Sequence, residues 1–144
     1  MERTVNMEVS FTKEETLKLI KEYYSILEDR QVKVSASAKK GYTGWREEEG
    51  CVTTITISEK IDIVGMDKEV KETITEDQLN TILRALFELY DFDLTSLTLD
   101  DGLSSRWVGY GMNEHEEKTA FFKGITVNVK KKKNQSLEKI PKNN

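Results

Sequence analysis

The chain's 144 residues carry 22 basic and 26 acidic side chains, 37% apolar residues and a single cysteine. That length can bury a real core without a structural metal, and the lone cysteine excludes an internal disulfide and favours a reducing compartment. Residues 130–144 hold six lysines and one glutamate, net +5, which leaves 16 basic against 25 acidic residues, net −9, on the rest; a body this acidic repels nucleic-acid phosphates.

Val5, Met7 and Val9 alternate as a half-buried strand does. Thr12 with Glu15 forms a capping box, and a helix is expected from about Lys13 to Glu28, burying Leu17, Ile20, Tyr24 and Leu27. Val32, Val34, Ala36 and Ala38 mark the next strand, and Gly41 to Gly50 reads as a polar turn. Cys51 to Ile57 is β-rich, and Ile61 and Ile63 keep the same parity past an interruption at Ser58-Glu59-Lys60.

Gly65, Met66 and Asp67 signal a turn, after which Val70, Glu72 and Ile74 lead to a second capping box at Thr75 and Gln78. Leu79, Ile82, Leu83, Leu86, Phe87 and Tyr90 form a wider apolar stripe, so this helix is expected to be the more deeply buried. The strand through Leu97 and Leu99 should end at Asp100-Asp101-Gly102, and Trp107 to Tyr110 and Ala120 to Val129 read as a hairpin.

Superposing Thr12 on Thr75 sets Leu19, Ile20, Tyr23, Tyr24, Ile26 and Leu27 against Ile82, Leu83, Leu86, Phe87, Leu89 and Tyr90 without a gap. The expected fold is therefore α+β. Two β-α-β-β units, at about 3–60 and 61–129, would form one mostly antiparallel sheet with both helices on one face, related by a pseudo-twofold axis. Residues 1–129 make one domain in this reading, and 130–144 a flexible lysine-rich tail.

Both units carry an aromatic, glycine-bearing loop followed by an acidic run. Tyr42, Trp45 and Arg46 precede Glu47, Glu48 and Glu49; Arg106, Trp107 and Tyr110 precede Glu114, Glu116 and Glu117. Tyrosine, tryptophan and arginine anchor interfaces because they remove large areas from water while keeping a polar handle. These residues are the candidate partner-binding set, presented as one composite patch to a basic protein surface such as a nuclease, a toxin or a nucleic-acid-handling enzyme.

Other chemistry finds little support. His115 stands among glutamates without a second histidine or a cysteine pair, and Asp91, Asp93, Asp100 and Asp101 lack the spacing of a calcium loop. Cys51 reads as a small packed thiol; there is no nucleophile elbow and no phosphate-binding glycine loop. Neither catalysis, a metal nor another cofactor is expected. The chain reads as a cytoplasmic accessory or inhibitor protein, monomeric or homodimeric and without a membrane segment. The rival reading is a nucleic-acid-binding module that uses the lysine tail and the aromatic loops.

Overall fold

Thr12 and Thr75 start the two helices for the same local reason. In the computed structural model, which describes residues 6–43 and 48–131, each threonine hydroxyl accepts the backbone N–H three residues on, at 3.1 Å from Glu15 and 3.2 Å from Gln78. The Glu15 and Gln78 side chains in turn accept the N–H of their threonines, so the orphan donors of each first turn are satisfied. Helix α1 spans Lys13–Leu27 and α2 spans Glu76–Leu89. Past each C-terminus an aspartate turns the chain in the left-handed region, Asp29 at φ 52 and Asp91 at φ 66.

Among the described residues six strands accompany them: β1 (Asn6–Thr12), β2 (Lys33–Thr43), β3 (Glu48–Ile63), β4 (Met66–Ile74), β5 (Phe92–Val108) and β6 (His115–Lys131). All pairings are antiparallel, so the α+β class holds. The expected single sheet does not form. The strands divide into two three-stranded sheets, ordered β1-β6-β5 and β2-β3-β4. The β5–β6 hairpin takes its third strand, β1, from the other end of the chain, whereas β4 follows β3 directly in a second hairpin.

Several boundaries also move. The strand ladder runs through Ser58-Glu59-Lys60 without a break, so the expected unit boundary at 60/61 falls inside β3 and the turn lies at Val64-Gly65. β2 and β3 extend into the segment read as a turn, pairing Gly41 with Gly50. Asp100-Asp101-Gly102 does not end a strand; β5 passes straight through it. β6 keeps Lys130 and Lys131, the first two tail lysines, opposite Asp93 and Phe92. The remaining tail residues lie outside the described ones.

Two bulges keep the core face continuous. Asp100 pairs with Gly124 and Asp101 with Phe122, so Lys123 is the extra residue of β6. Strict alternation would send Phe122 and Ile125 to opposite faces; the bulge lets both be buried on one. Thr95 does the same for Leu94 and Leu97 in β5. Gly124 sits at φ 143, where a Cβ would lie 1.9 Å from the Phe11 carbonyl oxygen, so only glycine fits where β1 meets the bulge.

Both helices pack on the inward faces and share one apolar cluster with the strands. Ile20 of α1, Leu83 of α2, and Ile125 and Val127 of β6 are wholly buried within it. Each such side chain stabilises the fold by roughly 1.5–3 kcal/mol. As expected, α2 is the deeper helix, burying Leu79, Ile82, Leu83 and Leu86. Leu27 and Tyr90, read as core, are exposed at the helix ends, while Thr16 is buried and donates its hydroxyl to the Thr12 carbonyl at 2.7 Å.

Candidate functional site

The β5–β6 hairpin leaves the core at Asp101 and continues to a tip at residues 109–114. Its base is fixed by side chains. The Thr53 hydroxyl of β3 donates to the Asp101 carboxylate, and the Cys51 thiol lies 3.5 Å from the Phe121 carbonyl oxygen. The Phe121 ring covers Gly102, where a Cβ would come within 3.2 Å of Cζ, and the Lys123 ammonium stands 5.3 Å from the centre of the same ring. Outward from there, Leu103 and Ala120 are half-buried opposite each other.

Beyond this base the hairpin presents the candidate residues. Arg106 pairs with Glu117, Trp107 with Glu116 and Val108 with His115. Directly opposed residues share a face, so Trp107 and Glu116 look one way and Arg106 and Glu117 the other. The Arg106 Nη2 to Glu117 Oε1 contact of 3.3 Å is solvent-exposed, and such pairs contribute about 0–1 kcal/mol.

The tip closes by a single 3₁₀ turn, with Asn113 N–H donating to the Tyr110 carbonyl at 2.9 Å and Glu114 N–H to that of Gly111 at 3.2 Å. Gly109, at φ 98, has the Asn113 carbonyl oxygen 2.5 Å from where a Cβ would be, so the tight closure requires glycine. Trp107 is 68% exposed, Tyr110 90%, and Met112 is completely exposed. A backbone held by paired strands thus carries three large, uncovered apolar side chains among Glu114, Glu116 and Glu117.

The structure gathers Arg106, Trp107, Tyr110, Glu114, Glu116 and Glu117 on this one hairpin. Of the other candidate loop, Tyr42, Glu48 and Glu49 occupy the last rungs between β2 and β3, Tyr42 opposite Glu49 and Glu48 opposite Thr43. Trp45, Arg46 and Glu47 lie outside the described residues. Met112 joins the hairpin group and is not among the expected residues, because neither aromatic character nor charge marks it in the sequence, although an exposed methionine is equally an interface residue.

The remaining chemistry-bearing residues have structural partners. Asp100 accepts a hydrogen bond from Thr126 at 2.9 Å, and the His115 ring Nδ1 lies 3.1 Å from the Asn113 carbonyl oxygen. No group of three or more metal-binding side chains comes together among the described residues. A cleft of 510 Å³ between the sheets is lined by Cys51, Thr53, Thr75, Thr98 and Asp101, but none of its lining residues is a histidine or lysine that could activate the thiol. No helix among the described residues is long and apolar enough to cross a membrane. Comparison with protein-family models, with curated proteins and with solved structures gave no match.

Proposed function

We propose that this chain is a protein-binding module of the inhibitor or accessory type that acts in the cytoplasm. It docks the β5–β6 tip on a basic surface of another protein. The observation that carries this reading is the uncovered trio of Trp107, Tyr110 and Met112 on a paired, turn-closed hairpin. Tryptophan and tyrosine bury large areas at low rotamer cost, methionine adds adaptable apolar surface, and an ordered backbone removes the cost of ordering the loop. The three neighbouring glutamates and the net −9 of residues 1–129 supply the complementary charge. That charge would steer a basic partner such as a nuclease, a toxin or a nucleic-acid-handling enzyme.

The same reading takes the chain as a duplicated unit. Exchanging β1 with β4, β2 with β5 and β3 with β6 converts one sheet order into the other. Matching threonine caps and matching aspartate stops at the two helices support it. In this account the β5–β6 hairpin is the copy that lengthened into a recognition arm, with 16 opposed pairs against 11 between β2 and β3 among the described residues.

Affinity capture from a lysate of the source cells tests the proposal. The wild-type chain should retain a basic protein in low salt, and Tyr110→Ala/Met112→Ala should lose most of it. Equal capture by both chains, or capture of acidic proteins only, would contradict the reading.

A further inference from the structure

We infer that the outer edge of β5 is a dimerisation surface and that its occupant is β5 of a second copy of this chain, paired antiparallel. Among the described residues, the four outer strands of the two sheets differ sharply. β1 is only 7 residues long, β4 is guarded by Asp67, Lys68, Glu69, Lys71 and Glu72, and β2 carries Lys33, Lys39 and Lys40. Short length and charge are the usual devices that stop edge-to-edge pairing. β5 is not short: it is 17 residues long, contains no lysine or proline, and among the described residues pairs only with β6. It does carry charge, Asp93, Asp100, Asp101 and Arg106, but Asp101 is bonded inward to Thr53, and the others include both signs. An edge of that length leaves a row of backbone donors and acceptors without a strand partner.

Its sequence is also complementary to itself. A twofold axis through Leu103, perpendicular to the sheet, brings Leu103 against the second copy's Leu103. It then sets Asp100 against the second copy's Arg106, and Leu99 against the second copy's Trp107. Inner faces stay on one side, because each opposed pair has matching parity. Asp100 and Arg106 share the outer face, where half-buried Asp100 accepts from Thr126 and exposed Arg106 meets Glu117; the two symmetry-related ion pairs would add to these contacts. On the inner face, half-buried Leu99 would cover part of Trp107, which the single chain leaves 68% exposed. Sliding the register by two residues places Asp100 against Ser104 or Val108 and loses both ion pairs. A one-residue slip puts the inner face of one copy beside the outer face of the other. The result is a continuous six-stranded sheet, with the two hairpin tips pointing away from each other.

Sedimentation equilibrium of the full chain, from micromolar to sub-millimolar concentration, reads the outcome. Wild type should approach twice the chain's mass. Arg106→Asp, which opposes two aspartates on each side of the axis, should weaken the dimer roughly tenfold or more. Asp100→Arg/Arg106→Asp should restore it. A wild-type chain that stays monomeric throughout, or a dimer indifferent to Arg106→Asp, overturns the proposal. Should a variant fail to fold by circular dichroism, wild-type hydrogen exchange decides. Amides between Thr98 and Trp107 must gain protection as concentration rises, and concentration-independent exchange there overturns it equally.

Discussion

The Thr53 hydroxyl, on the central strand of one sheet, donates its hydrogen bond to the Asp101 carboxylate, on an edge strand of the other. Both groups are half-buried, and the contact lies where the β5–β6 hairpin leaves the core. Asp101→Ala leaves the Thr53 hydroxyl without its acceptor in a cleft that water partly reaches, which should cost about 1–2 kcal/mol. Thermal unfolding should show a Tm lower by roughly 2–6 °C. An unchanged Tm would mean that this hydrogen bond adds nothing to the joint between the sheets.

Ile20 and Leu83 occupy matching places in the two capped helices, and both are fully buried in the shared cluster. Truncating either to alanine should leave a cavity and cost about 2–5 kcal/mol. Ile26, 49% exposed nearly two turns further along α1, should cost well under 1 kcal/mol on the same change. Urea denaturation of the three variants checks the order.

Tyr24 is buried beneath Arg30, whose guanidinium carbon lies 5.1 Å from the ring centre. Burial first, then the charges of Glu28 and Glu72, raises the Tyr24 phenol above its ordinary 10.0; burial and a 3.1 Å hydrogen bond to Glu28 raise Tyr23 likewise. The fold therefore prefers the neutral phenols. Stability from this source is complete below pH 10.0 and falls as pH rises through that value toward the folded pKa, because the unfolded chain ionises first. Arg30 does not offset the loss. Its bonds to Glu59, then Glu72 and Glu28, hold it charged above the usual guanidinium range. Denaturation at pH 8 to 11 should show a steeper alkaline decline for wild type than for Tyr24→Phe.

Val64 turns the β3–β4 hairpin at φ 53, a conformation that β-branched residues rarely adopt, with its side chain 88% exposed. Gly65 follows, its N–H held at 2.8 Å by Asp62. An asparagine at this place suits the turn and keeps the hydrogen bond. Val64→Asn should raise stability by about 1 kcal/mol, read as a higher denaturation midpoint.

What the sequence disclosed was local. Thr12 and Thr75 announce their helices because a capping box is complete within four residues, and Ile20 and Leu83 follow from a 3.6-residue period. The strand partners were hidden because Asn6 meets Lys130 across the whole chain, and no short-range pattern encodes that pairing. Asp100-Asp101-Gly102 misled for a related reason. Its turn preference is overridden once Thr126 binds Asp100, Thr53 binds Asp101 and the Phe121 ring covers Gly102. The bulge at Lys123 depends on register and leaves no mark in composition. Of the candidate site, the residue types of the second loop were legible, whereas their projection beyond the core required the full length of β5 and β6.

A photo-crosslinking amino acid at position 110 measures the docking claim most directly, with position 18 on the exposed face of α1 as the control. Illumination in lysate should yield a discrete adduct from position 110 to a basic protein, weakened by salt as steering by charge requires, and none from position 18. No adduct at position 110, or the same adducts from both positions, would contradict the assignment of the β5–β6 tip as the recognition surface.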